Sequence, residues 1–358
     1  MYRVMNLKGR KEPNDTLELR ELKESLKKLT PSVVTLKEEL KRLRTPKLST
    51  YEENQLIQSL ERVWHIIRLM KLLQAYFKDK IVFGGGAILN YIFLRSMNEL
   101  PRFTFDLDSS WTKEVSSKRV FLKELLLFNK HLSESSNVLY IPVSRDRYIS
   151  LYVVEYDAEK NHFPNILSLR YPVICRWSGE EFHKYVKRTS RIEVEYGILR
   201  KLRRVFEEAL NVKSAKVDYV RFEISFGESL PVKTYRVELP FNLGTLDLNV
   251  TEIEYQLASK IAWRLGKDFG DNIEYVLHDL LKTLLDLRLL KIVNRDKVEE
   301  YVEKILGKRL VELRDKIKDN LATLLHKGGL YWNSHHYILI RKERTLDEIV
   351  DEIISLLL

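Results

Sequence analysis

Lys80-Ile81-Val82-Phe83-Gly84-Gly85-Gly86-Ala87 and, a short apolar segment later, Arg102-Phe103-Thr104-Phe105-Asp106-Leu107-Asp108 are the stretches that decide how this chain is read. Lys80–Phe83 predicts a strand, Ala87–Arg95 a helix, and the alternation over Phe103–Asp108 a second strand after the break at Pro101. A strand, three glycines and a helix gather free backbone N–H groups and a positive helix end at one point. Glycine there lets phosphate oxygens approach the backbone closely, although a plain strand-to-helix turn has the same sequence. On a strand, Asp106 and Asp108 point to one side, while Phe103, Phe105 and Leu107 point to the other. Two neighbouring carboxylates repel unless a cation lies between them. Mg²⁺, or Mn²⁺, is the hard, oxygen-seeking ion that bridges carboxylates and nucleotide phosphates.

Outward from this stretch, the chain reads as a mixed α/β body between helical ends. Upstream, Leu56, Leu60, Val63, Ile67, Met70, Leu73 and Phe77 recur at spacings of three and four, predicting one helix over Tyr51–Phe77 with Ser49 or Thr50 as its cap. Residues 1–50 predict two basic helices broken at Thr30-Pro31. These form either an arm packed on the body or a semi-detached hairpin, and Lys23, Lys27, Lys28, Lys41, Arg42 and Arg44 are available to an anionic partner. Downstream, strands are expected over Asn137–Pro142, Tyr148–Tyr156, Ile166–Arg176, Val217–Phe226 and Thr234–Leu239, interrupted by a helix at Val194–Leu210. The last third predicts helices at Thr251–Leu265, Asn272–Leu290, Arg295–Lys304, Leu310–His326 and Leu346 to the end, with a strand-like piece at Tyr337–Ile340. The fold class is α+β (mixed α/β). The expected division is a helical arm at 1–50, a central domain at 51–245 and a helical domain at 246–358.

Composition excludes several classes. Among 358 residues, 44% hydrophobic and 31% charged, no apolar run approaches the roughly 20 residues that span a bilayer, and the first residues carry no apolar export signal. One cysteine, Cys175, excludes an internal disulfide and fits a reducing cytoplasm. A net charge of +10 favours anionic partners, nucleic acid or nucleotide phosphates, although Lys and Glu are interleaved throughout as on any solvated surface. His335-His336 follows Asn333-Ser334 without the Cys or His companions of a zinc site.

Gly84-Gly85-Gly86-Ala87 followed by Arg102-x-Thr104-x-Asp106-Leu107-Asp108 resembles the glycine turn and Arg-x-(Ser/Thr)-x-Asp-(Ile/Leu)-Asp strand of the AbiEii/AbiGii toxin family, within the DNA polymerase β-like nucleotidyltransferase superfamily. Ser96–Pro101 stretches the interval as a small insertion. Downstream, Leu257-Ala258-Ser259-Lys260-Ile261-Ala262 fits the family's lysine-bearing helix, which implies that Lys260 neutralises the triphosphate of an incoming nucleotide. His278-Asp279-Leu280-Leu281-Lys282 is the nearest fit to the family's acidic helix. Asp279 is thus the leading downstream acid, with Asp271 and Asp286 as rivals and Lys282 standing where the family has a second aspartate. The superfamily usually adds a third carboxylate on a neighbouring strand. Glu223, opposite in phase to Val220, Phe222, Ile224 and Phe226, is the candidate ligand or base, the alternative being a simple pairing with Arg221.

The resemblance implies a nucleotidyltransferase fold with a twisted mixed sheet and a C-terminal helical domain. It implies transfer of a nucleoside monophosphate from an NTP such as ATP to an acceptor hydroxyl, with Mg²⁺ or Mn²⁺ at Asp106, Asp108 and Glu223. Gly84, Gly85, Gly86, Arg102, Thr104 and Lys260 would hold the nucleotide. It further implies an RNA acceptor, tRNA first, and an antitoxin partner in the cytoplasm, with no membrane. Transfer to a protein or small molecule, and a non-catalytic nucleic-acid-binding protein on the same fold, are the rivals.

Overall fold

The computed structural model describes residues 4–5, 15–43, 47–112, 118–144, 147–157, 165–190, 194, 196–227 and 229–358. Helices α1 (Asp15–Leu29) and α2 (Val33–Arg42) lead into α3 (Thr50–Phe77). A capping box starts α3, the Ser49 side chain accepting from the Glu52 N–H and the Glu52 carboxylate accepting from the Ser49 N–H. All seven apolar positions of the expected α3 stripe are buried.

The strands are β1 (Val4–Met5), β2 (Ile81–Gly84), β3 (Asp106–Trp111), β4 (Leu139–Ser144), β5 (Arg147–Leu151), β6 (Glu155–Tyr156), β7 (Ile166–Cys175), β8 (Glu180–Glu181), β9 (Lys216–Phe226), β10 (Val232–Glu238) and β11 (Thr245–Thr251). Among the described residues, eight of them build a mixed sheet in the order β10-β11-β2-β3-β9-β7-β6, with β8 paired to β9. The small β1-β5-β4 sheet lies apart. β2 runs antiparallel to β3, and β3 parallel to β9. Helix α3 packs across β2, β3, β7, β9 and β11, so the core lies between it and the sheet. Beneath α3 the buried Glu61 accepts from the Arg176 guanidinium at 2.6 Å and from its backbone N–H at 2.9 Å, which satisfies a charge that could not stand alone there. Cys175 is free and buried.

The remaining helices relevant to the site are α4 (Gly85–Ile88), α5 (Lys118–Glu134), α6 (Phe182–Ser190), α7 (Tyr196–Leu210), α8 (Ile253–Lys260) and α9 (Ile273–Asp286). α4 continues as a π-helical segment, Leu89–Leu94, and α8 as another, Ile261–Leu265. Further helices, Arg295–Leu306, Arg314–Lys327 and Leu346–Leu357, follow the expected positions. Among the described residues no helix is long and apolar enough to cross a membrane.

The structure corrects several expectations. The strand expected over Phe103–Asp108 starts at Asp106, because the preceding backbone bonds elsewhere: the Phe103 N–H donates to His336 O, and the Thr104 N–H donates to the Tyr91 hydroxyl. Tyr337–Ile340 is helical and buried rather than a strand, since a short apolar run has no period that separates the two. Helices α5 and α6 and strand β11 were not expected. β11 crosses the boundary drawn after residue 245, so the sheet continues past it. The N-terminal helices are packed on the body: Leu26, Leu29 and Leu36 are buried, and Lys23 bonds Glu208 of α7 at 3.1 Å while Lys27 pairs with Glu24. Arg44 lies outside the described residues. Leu26→Ala or Leu36→Ala should therefore lower global stability by about 2–5 kcal/mol in urea unfolding, as for any large-to-small change in a shared core. A semi-detached hairpin would leave the global midpoint where it was.

Candidate active site

The glycine turn is shaped by contacts that admit no side chain. Gly85 has φ +72°, and a Cβ on it would sit 1.9 Å from Asp108 Oδ2. A Cβ on Gly86 would sit 2.6 Å from the Arg102 guanidinium. The Gly85 N–H is already engaged, donating at 2.8 Å to Gln256 Oε1, whose amide donates in turn to Thr251 O at 2.7 Å. Gln256, on α8, thus pins the turn to the end of β11.

The carboxylates come from two parallel strands. Asp106 stands opposite Arg221 and Asp108 opposite Glu223, with Asp106, Asp108 and Glu223 all partly exposed, the latter two between buried neighbours. Asp106 is half exposed, with the Arg221 guanidinium 3.9 Å away. Ser168, across on β7, donates to Glu223 at 3.4 Å. Burial, then the charges of Asp106 and Glu223, push the Asp108 carboxyl up to about 6, with Lys260 and Arg102 opposing.

Behind this face lies one buried anion, Asp286, at the end of α9. Arg102 grips it through Nε and Nη2, both at 2.9 Å. Asn90 donates to it at 2.8 Å, and Lys260 lies 3.1 Å away. Burial alone would raise this carboxyl, but Arg102 and Lys260 outweigh it and hold Asp286 down at about 2. The same Asn90 amide donates to Gly86 O at 2.9 Å, and its oxygen accepts the Arg102 N–H at 3.0 Å. Asn90 lies inside the π-helical segment, a local widening that recurs at functional sites. With two cations sharing one anion, the cluster presents a net positive charge towards the carboxylate face.

The structure brings Gly85, Gly86, Thr104, Asp106, Glu223 and Lys260 around one cavity of about 210 Å³, which Asp108, Arg102, Arg221 and Lys282 also line. Gly84 lines an adjoining chamber with Asp108, Glu223 and Lys260. Thr104 is held by Tyr91, whose hydroxyl accepts from its N–H at 2.7 Å and donates to its carbonyl at 2.8 Å. Arg102 is buried against Asp286, which commits two of its donors and makes it a support of the cavity wall. Asp279 is the correction: it is half exposed, paired with Lys282 at 3.3 Å and Arg264 at 3.8 Å, and lines none of these cavities. Asp271 sits in an exposed turn. Asp286, the remaining candidate, is the one of the three that contacts Lys260 and Arg102 behind the cavity. Sequence reasoning missed Gln256, Asn90 and Tyr91, which are ordinary polar residues on helices until the fold folds them onto the turn.

Among the described residues no three His, Cys, Asp or Glu side chains converge to hold a metal ion by themselves. Asp106, Asp108 and Glu223 are all-oxygen donors, and among the described residues no cation forms an ion pair with the burial-raised Asp108. That suits an ion such as Mg²⁺, which keeps several waters and takes substrate oxygens alongside one or two carboxylates.

The sign of the Asp108 shift fixes a pH dependence for the metal-free protein. A carboxyl raised above its unfolded value of 3.8 gives stability that is complete below about pH 4 and lost as pH rises through about 6. Asp108→Asn should remove that loss and melt higher than the parent at pH 7, while the two converge at pH 4. Asp286 has the opposite sign: its contribution is present above about pH 4 and fades towards pH 2, so Asp286→Asn should destabilise at pH 7 by about 3–5 kcal/mol, the cost of breaking a buried ion cluster. Thermal melts across pH check both signs.

No family model matches the sequence, and no curated protein does. Among solved structures the chain is similar to MenT4, a nucleotidyltransferase toxin from Mycobacterium tuberculosis H37Rv, with 12% identity and a TM-score of 0.38 over 84% of this chain and 94% of that one. At that score the likeness carries no argument about chemistry, and the functional reading rests on the residues themselves.

Proposed function

We propose that this chain is a metal-dependent nucleotidyltransferase that moves a nucleoside monophosphate from an NTP to an acceptor hydroxyl and releases pyrophosphate. The observation that carries the reading is the juxtaposition of Asp106, Asp108 and Glu223 on adjacent parallel strands with a glycine turn that fits tightly against Asp108. Asp106 and Asp108, with Glu223 beside them, would hold Mg²⁺ or Mn²⁺, which when bound would neutralise phosphate charge and acidify an attacking hydroxyl. The chain's own residues supply the rest. Gly85 and Gly86 let the Asp108 carboxylate and the Arg102 guanidinium close against the backbone of the turn. Lys260, held at the cavity wall by Asp286, would present its ammonium to the triphosphate. Glu223, as ligand or as base, would serve the acceptor side, in the latter case taking the proton of its hydroxyl. Phosphoryl transfer asks for little beyond such positioning and charge neutralisation.

RNA, tRNA first, is the acceptor this reading favours, supported by the net charge of +10 and by the motif resemblance. The resemblance also extends the reading to a toxin restrained by an antitoxin.

Incubation of the full chain with α-labelled NTPs, Mg²⁺ and total RNA should label RNA. Asp106→Ala or Asp108→Ala should abolish labelling; full activity in either would remove the assignment. Lys260→Ala should cost about 2–4 kcal/mol in kcat/KM for the NTP, as loss of a charge clamp does. If only stability changes, with kinetics per folded molecule intact, Lys260 is a partner of Asp286 and nothing more. RNA affinity should fall by orders of magnitude from low to moderate salt through counterion release. Labelling of protein or of a small molecule in place of RNA would redirect the acceptor while leaving the chemistry.

A further inference from the structure

Beyond Asp106 and Arg221 the active-site cavity opens into a second chamber of about 280 Å³. Its floor is apolar, formed by Ile66, Val173 and Val220. Its wall is aromatic: Phe105, Tyr219 and His336 line it. The Phe105 ring lies 5.2 Å from His336 and nearly parallel, at 19°, to His335. Two guanidinium planes stack on these rings, Arg62 over Phe105 at 4.8 Å and Arg170 over Tyr219 at 5.0 Å. Its rim carries Arg221 and Lys282, both shared with the carboxylate cavity. Burial lowers both neighbouring histidines, His336 to about 4, so at neutral pH they are uncharged rings.

The arrangement is not that of a packed core, where Tyr171 and Phe222 sit with no solvent exposure. Phe105, Tyr219 and His336 are only partly covered. Arg62 is held by Asp218 at 2.6 Å, and Asp106 and Asp218 also line the chamber, so an anion there would meet only Arg221 and Lys282, the former 3.9 Å from Asp106 and the latter 3.3 Å from Asp279. Flat rings, guanidinium planes and an apolar floor are the surfaces on which unpaired bases stack, with cations at the mouth for a phosphate. We propose that this chamber binds a nucleotide, its base among Phe105, Tyr219 and His336 and its phosphate towards Arg221 and Lys282. The proposal rests on the nucleotidyl-transfer reading for what lies next door. Two sources share this chemistry, the incoming NTP and the terminal nucleotide of an acceptor strand.

The test uses 2-aminopurine, whose fluorescence is quenched when it stacks. One arm titrates the full chain with 2-aminopurine riboside triphosphate and Mg²⁺; the other uses a short single-stranded RNA with 2-aminopurine at its 3′ end. The proposal expects one probe to be quenched, which identifies the source. Phe105→Leu and His336→Gln should weaken that probe's affinity by about tenfold, within the range for loss of one base stack. Phe105→Trp should restore the quench, which a merely structural role for the side chain would not. Melting temperatures show that the variants fold, and His336→Gln serves if Phe105→Leu does not. Absence of quenching with both probes, or quenching unchanged in the variants, overturns the chamber even if labelled NTP is transferred. Ring-dependent quenching in a chain that transfers no label upholds the chamber and overturns the nucleotidyl-transfer reading alone.

Discussion

The buried carboxylate of Asp286 is the constraint on which the site depends. It is fully enclosed, and a lone anion there would cost several kcal/mol. Its three partners arrive from three parts of the chain: Asn90 from the helix after the glycine turn, Arg102 from the segment before β3, and Lys260 from α8. Each partner then fixes something else. Asn90 holds the carbonyl of Gly86 and the backbone of Arg102; Arg102 fills the space that a side chain at position 86 would need; Lys260 is left with its head between Asp286 and the cavity. One charge therefore sets the mutual position of turn, strand and cation.

Two carboxyls in one neighbourhood have been driven apart by their surroundings. Asp286 has two cations against it and stays ionised at any working pH, whereas Asp108 is raised by burial and by two like charges. Such divergence separates a structural anion from one whose ionised form awaits a cation. The first carries the architecture, and the second is the group to which the proposed chemistry is assigned.

The glycine turn, the Asp106–Asp108 pair and Glu223 stood out because each is a local pattern: three consecutive glycines, a period of two, and a polar residue within an apolar alternation. Helix α3 was legible for the same reason. What escaped was whatever depends on a partner distant in sequence. Asp286 sits among leucines on α9, and nothing nearby distinguishes it from Asp279; its contacts with Arg102, Asn90 and Lys260 across the fold do. Gln256 and Asn90 read as solvated helix residues until their amides are seen satisfying backbone groups of the turn. Strand β11, seven residues long like β10, abuts the expected helix start at Thr251, and α5 carries its own apolar stripe at Phe121, Leu125, Phe128 and Leu132. The N-terminal basic residues looked available for phosphates, yet Lys23 and Lys27 are spent on Glu208 and Glu24.

The parallel pairing of β3 with β9 has a consequence in time. Asp108 and Glu223 become neighbours only after the chain has made the long excursion through residues 112–215, and Asp286 arrives later still. Non-local pairings of this kind are slow to form, and during synthesis the N-terminal part emerges first. A nascent chain that already displays its glycine turn and both aspartates thus has neither the opposite carboxylate nor the anchored cation. The proposed activity would therefore come only with the last third of the polypeptide, and a truncated product would carry the motif without the assembled site.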